Sequence, residues 1–168
     1  MTWERHLEHW IVGLRVDWLD RCFIALSWIG SVGAIWLAIA AVLALLWRRP
    51  SIFVTVLVAD ALADLLAGAG KLIVQRHRPF ETQLGPHSST HSFPSGHSAT
   101  SFACATVLSV FAPRWRVPFF VLAALIALSR VYNGMHYPTD VLAGSVLGVL
   151  TALLLLAAIP RLSRRATR

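Results

Sequence analysis

Ser92-Phe93-Pro94-Ser95-Gly96-His97-Ser98 is a short polar island between two apolar blocks. A histidine stands where a Ser-Gly turn meets the next apolar run. Helix starts that hold anions are built this way, from free backbone N–H groups, a glycine permitting close approach and the positive end of the helix dipole. Alone, such a string reads equally well as a turn. Two further islands change its meaning: Lys71-Leu72-Ile73-Val74-Gln75-Arg76-His77-Arg78-Pro79 and Ser129-Arg130-Val131-Tyr132-Asn133-Gly134-Met135-His136-Tyr137-Pro138-Thr139-Asp140. Each follows a long apolar run. Together the islands offer Lys71, Arg78, Arg130, His97, His136, Asp140, Ser95 and Gly96. That inventory suits a phosphate held by fixed positive groups and attacked by an imidazole.

The blocks around the islands set the fold class. Of 168 residues, 57% are hydrophobic and only 14% charged, and the mean hydropathy is +0.65. A soluble domain carries about a quarter charged residues. The composition therefore predicts an all-α integral membrane helical bundle forming one domain over residues 1–168. The net charge is +7. Its arginines cluster beside apolar spans, as topology signals and anionic headgroups require, and not in the basic-aromatic pattern of nucleic-acid binding. Cys22 and Cys104 lie in apolar runs, make no disulfide framework or metal motif, and read as small buried side chains.

Residues 1–20 read as an interfacial helix. Trp3, Leu7, Trp10, Ile11, Leu14 and Trp18 recur at helical spacing, and charges fill the other face. His6 and His9 are expected in solvent or among headgroups. No cleavable signal is expected, because this segment is acidic as well as basic. A transmembrane core over 22–159 follows, with about five spans near 22–47, 51–74, 96–111, 117–132 and 141–159. A basic tail, 160–168, closes the chain. The third span has about sixteen residues, roughly 24 Å of helix against a ~30 Å hydrocarbon core. It is expected to start below the membrane surface and sink Pro94-Ser95-Gly96-His97 into a pocket. With five spans, Arg48 and Arg49, Arg114 and Arg116, and Arg161, Arg164, Arg165 and Arg168 share one side. The positive-inside rule makes that side the cytoplasm and puts all three islands on the extracytoplasmic side of the cell membrane. Asp60 and Asp64, one turn apart inside the second span, read either as functional carboxylates or as polar contacts to a neighbouring helix.

Lys71 and Arg78 are two turns apart and share a helix face if the second helix runs that far, with Pro79 ending it. Arg76 reads as snorkelling to the headgroups. Arg130 offers a planar fork for phosphate oxygens. Pro138 suits a first helical residue, which puts Asp140 in an opening turn. From there it accepts a hydrogen bond from His136, fixing the tautomer and freeing the other ring nitrogen. His77, His87, His91 and Glu81 read as solvated loop residues at a substrate entrance in preference to a metal site.

The spacing Lys71 to Arg78-Pro79, Pro94 to His97, and Ser129-Arg130 to His136 and Asp140 resembles the type 2 phosphatidic-acid phosphatase superfamily, over roughly residues 60 to 150. That superfamily includes membrane lipid phosphatases and soluble vanadium haloperoxidases, and the apolar composition favours the first. The resemblance implies that His136 is the nucleophile of a phosphohistidine intermediate, that Asp140 orients it, and that His97 is the acid for the leaving oxygen and then the base for water. It implies phosphate binding by Lys71, Arg78, Ser95, Gly96 and Arg130, with no metal or cofactor. The implied partner is a lipid phosphate in the bilayer, a polyprenyl diphosphate first by analogy. Phosphatidylglycerol phosphate, phosphatidate, a phosphorylated glycolipid and a lipid-linked sugar phosphate stay open, as does transfer to another lipid. A scaffold or transporter fits less well, because buried charges without a role are costly and no repeat is evident.

Overall fold

The computed structural model describes residues 3–30, 33–79, 83–84 and 90–159. Among these residues it has seven α-helices and no strand: α1 Trp3–Val12, α2 Asp17–Ile29, α3 Ala34–Leu46, α4 Pro50–Val74, α5 Gly96–Phe111, α6 Arg116–Tyr132 and α7 Pro138–Ala158. In lipid every backbone polar group must be satisfied within its own segment, so apolar runs of this length become helices. Hydroxyls inside them do the same: Thr55, Thr106, Ser109, Ser145 and Thr151 each donate to the carbonyl four residues earlier.

The short helix α5 is the centre of the bundle, packed between α4, α6 and α7. Its Ala99, Ala103, Cys104, Ala105, Val107 and Leu108 have no exposed surface. Small residues let its neighbours close in. α4 turns Ala59, Ala63 and Ala67 inward, and α7 turns Gly144 and Gly148. A Cβ on Gly144 would strike the carbonyl of Ser95, and one on Gly148 the carbonyl of Ala99. Such close backbone approach at a Gly-x-x-x-Gly spacing is how helices associate where lipid supplies no hydrophobic drive. Leu65, Leu72, Ile73, Leu142 and Leu154 point outward.

Three helical stretches are long and apolar enough to cross a membrane: Pro50–Val74, Pro113–Tyr132 (α6 with the 3-10 turn before it) and Pro138–Ala158. A fourth arises if α2 and α3, bent by 60°, are one span. α5 has the 16 residues the sequence suggests and falls short of that length. The protein is thus a multi-pass membrane bundle, and the boundaries of α4 to α7 fall within three residues of the sequence reading.

The N-terminal third departs from expectation. The amphipathic pattern runs through residue 20, but the helix stops at Val12 and α2 starts at Asp17, where Asp17 and Asp20 suit the positive end of the dipole. Tyr132 Oη donates to Asp20 at 2.6 Å, pinning this start to the end of α6. The expected first span is likewise broken. Gly33 has φ +64, and a Cβ there would collide with the Asp60 carboxylate. Cys22 is exposed, against the buried reading, whereas Cys104 is buried with its thiol 3.7 Å from Asp60 Oδ1. The basic tail, with Arg161, Arg164, Arg165 and Arg168, lies outside the described residues.

Candidate active site

The end of α4, the start of α5, the end of α6 and the start of α7 meet at one end of the bundle. Arg48, Arg49, Arg114 and Arg116 are therefore at the other end. Ser95 ties two of these termini: its N–H donates to the Asp140 carbonyl at 3.0 Å. As N-cap of α5 it also accepts from the N–H of Ser98 and, at 3.0 Å, from the Ser98 hydroxyl. Gly96 follows, buried. A Cβ built on it would stand 3.5 Å from Asp64 Oδ1 and 3.7 Å from Lys71 Nζ, so both α4 side chains reach this turn. Asp64 is exposed and joins the edge of the site. Asp60, one turn deeper, makes the contact to a neighbouring helix.

α4 does not reach Arg78. It ends at Val74 on Gln75, whose φ of 50 is left-handed, four residues before Pro79. Arg78 therefore arrives from a non-helical segment and not from the helix face shared with Lys71. It is 5% exposed. Nε donates to the Thr90 carbonyl (2.7 Å), Nη2 to the Thr90 hydroxyl (3.0 Å) and Nη1 to the Met135 carbonyl (2.8 Å). With its fork held this way, Nη1 lies 3.2 Å from His136 Nε2. Burial makes this guanidinium less basic, and Asp140 opposes the effect.

Arg130, on the last turn of α6, is also buried. One Nη donates to Ser27 of α2 and the other approaches Met135 Sδ at 2.9 Å. Its carbonyl accepts from both Met135 and His136, closing a tight turn through Gly134 at φ +66. That turn presents His136, only 1% exposed. Pro138 is the first residue of α7, as its φ preference requires. Asp140 Oδ2 accepts from the Tyr137 N–H at 2.9 Å and faces His136 Nδ1 at 3.6 Å, just beyond hydrogen-bond length. Burial first, then Arg78 and Arg130, push the His136 imidazole down from 6.5 to about 4, with Asp140 opposing. It is neutral at ordinary pH, with Nδ1 toward a carboxylate and Nε2 toward a cation.

His97 is half-buried on the first turn of α5, and its electrostatic neighbours are Arg130, His136, Lys71 and Arg78. All eight residues singled out in the sequence thus converge. The sequence reading missed Arg76. It does not snorkel: Nη1 donates to Asp140 Oδ1 at 2.8 Å, Nη2 pairs with Glu4 of α1 at 2.6 Å, and the guanidinium lies 4.1 Å from the centre of the Tyr137 ring. Ser27 was missed as well, having no local signal. His6, His9 and His77 are exposed and His91 is half-buried; the last two lend backbone carbonyls to Ser92 and Arg78. His87 and Glu81 lie outside the described residues.

A polar constellation of this kind, walled by helix ends in a membrane bundle, defines a class that comparison with known proteins makes specific. The sequence profile of the PAP2 superfamily matches residues 51–164, and the chain belongs to that superfamily. It is 32% identical over 120 residues to an undecaprenyl-diphosphatase of Sulfolobus acidocaldarius, covering 68% of this chain and 58% of the relative. It is 36% identical over 111 residues to a lipid A 1-phosphatase of Rhizobium etli, covering 61% and 46%. The chain thus spans about half the length of these relatives. The crystal structure of a transmembrane PAP2 type phosphatidylglycerolphosphate phosphatase from Bacillus subtilis superposes with a TM-score of 0.79 at 27% identity, covering 94% of this chain and 85% of that one.

Proposed function

We propose that the protein is a lipid phosphatase that removes a terminal phosphate at the extracytoplasmic membrane face through a phosphohistidine on His136. One observation carries the reading: a buried imidazole with Nδ1 toward Asp140 and Nε2 3.2 Å from a fixed guanidinium. A phosphoryl group bound at Arg78 meets that nitrogen. Lys71, Arg130, the N–H of Gly96 and Ser95 complete the cradle and stabilise charge spread over the equatorial oxygens. His136 Nε2 forms the bond to phosphorus as the bond to the lipid oxygen breaks, and His97 gives that oxygen a proton. Asp140 steadies the Nδ1 proton. Water, deprotonated by His97, then cleaves the phosphohistidine and releases phosphate. The scheme calls for no metal.

The substrate of first choice is a polyprenyl diphosphate, supported by the undecaprenyl-diphosphatase relative. The names of the other relatives point to different lipids with the same chemistry, an apolar tail and a terminal phosphate. The test is inorganic phosphate release by purified protein in detergent, with undecaprenyl diphosphate, phosphatidylglycerol phosphate, phosphatidate and a lipid A 1-phosphate offered separately. Release from at least one, abolished by His136→Ala, is the expected result, and undecaprenyl diphosphate is expected to be fastest. Silence on every lipid would end the phosphatase reading. Phosphate reappearing on a second lipid instead of in water would make the enzyme a transferase.

A further inference from the structure

The amphipathic helix α1 presents its acidic face to the protein. Glu8 is 2% exposed and Glu4 is half-buried, while Trp3 and Trp10 stand 60% and 64% exposed. Glu4 reaches the site through two contacts. One oxygen pairs with Arg76 Nη2 and the other accepts from the Thr139 hydroxyl. Arg76 Nη1 donates to the same Thr139 oxygen and to Asp140 Oδ1, both at 2.8 Å. The wholly buried Asp140 carboxylate is thereby divided: Oδ2 accepts from the Tyr137 N–H and faces His136 Nδ1, and Oδ1 accepts from Arg76.

We propose that Arg76 is a positioning residue for the reaction and that Glu4 of α1 holds it in place, so the N-terminal helix is a working part of the site. The inference deepens the phosphatase reading and rests on it. A carboxylate gripped at one oxygen cannot rotate, so its second oxygen stays aimed at His136 Nδ1. Stacking on Tyr137 and the bond to Glu4 fix the guanidinium in turn, on a group only 27% exposed. A plain interhelical ion pair would act on stability alone, whereas a positioning pair also acts on the imidazole. Arg76 offsets part of the negative field that Asp140 exerts on His136, and Glu4 offsets part of Arg76. The other charged or titratable groups facing His136 are Arg78 from the segment after α4, Arg130 from α6 and His97 from α5, with Lys71 from α4 facing His97 in turn. These do not change in Glu4 or Arg76 variants. Loss of Arg76 charge therefore makes the imidazole easier to protonate, and loss of Glu4 charge makes it harder.

The experiment measures kcat, KM and the acid limb of kcat/KM on the best lipid phosphate for wild type, Arg76→Gln, Arg76→Lys and Glu4→Gln, with thermal unfolding in detergent as the folding control. Arg76→Gln is expected to lower kcat roughly tenfold to a hundredfold, the cost of misplacing a catalytic group by about an ångström, with KM little changed. Its acid limb moves to higher pH. Arg76→Lys recovers part of kcat and keeps the limb near wild type. Glu4→Gln, isosteric and at the margin of the site, keeps the fold even should Arg76→Gln lose it, and moves the limb to lower pH. An active wild type that Glu4→Gln matches in limb, and that a folded Arg76→Gln matches in kcat and in limb, overturns the inference alone. A wild type inert on every lipid phosphate overturns the phosphatase reading first and this inference with it.

Discussion

His136 and His97 divide the chemistry on the proposed mechanism, and each has a distinct signature. General acid catalysis contributes about 10² to 10⁴ in rate, and the need for it shrinks as the leaving group improves. His97→Ala is therefore expected to lose far less activity on an aryl phosphate with an acidic phenol than on a prenyl phosphate, and to accumulate phosphoenzyme if His97 is also the base for water. His136→Ala is dead on both and traps none. Single-turnover kinetics with acid-labile phosphoenzyme trapping reads both outcomes, and the reverse pattern would exchange the roles. A pH profile adds a check. A histidine held down to about 4 stays neutral, and so nucleophilic, until the pH falls through that value. The acid limb of kcat/KM in wild type is expected nearer 4 than 6.5. A limb near 6.5 would mean that the site does not exclude water from His136 as its 1% exposure implies.

The packing of α5 against α7 carries the site because both helices begin in it. Gly144 meets the carbonyl of Ser95, the N-cap of α5, and Gly148 meets that of Ala99 one turn deeper. Overpacking a tight contact costs about 1 to 3 kcal/mol. Gly148→Val is expected to lower the unfolding temperature in detergent by several degrees. Gly144→Ala adds a loss of activity out of proportion to its loss of stability, because the Ser95 carbonyl it displaces belongs to the residue that bonds Asp140. Gly68, with nothing within 4 Å of a Cβ, is the control. Gly68→Ala is neutral or stabilising by up to about 1 kcal/mol through helix propensity. Equal damage at Gly68 and Gly148 would contradict this account of the bundle.

We propose an orientation for the bundle from its two unlike ends. One gathers Arg48, Arg49, Arg114 and Arg116; the other gathers the site and the tryptophan face of α1. The positive-inside rule predicts that the arginine end faces the cytoplasm. In a Cys22→Ser background, needed because Cys22 is exposed, a cysteine at Ser88 is expected to react with a membrane-impermeant thiol reagent in intact cells. A cysteine at Trp115, half exposed at the arginine end, is expected to react only after lysis. The opposite pattern would reverse the protein and make its substrate a lipid of the inner leaflet.

Much of the bundle and the site was legible in the chain because the signals are local. Apolar run lengths bound α4 to α7, Pro50 and Pro138 mark helix starts, and Asp140 falls in an opening turn by spacing from Pro138. The separations between Lys71 and Arg78, Pro94 and His97, and Arg130 and His136 are short enough to survive as motifs. The Gly144 to Gly148 spacing was also there to be read. What escaped depends on which helices pack together. Arg76 and Glu4 are 72 residues apart and Arg130 and Ser27 are 103 apart. No window along the chain contains both members of either pair. Arg76 therefore reads as a headgroup-seeking cation until α1 folds back over the site and supplies the carboxylate that turns it inward. The breaks in residues 13–16 and between α2 and α3 also involve contacts between distant segments. Gly13, Gly30 and Gly33 disfavour helix at these two breaks, and burying Asp60 beside Gly33 and bonding Tyr132 to Asp20 hold the chain in its broken course there.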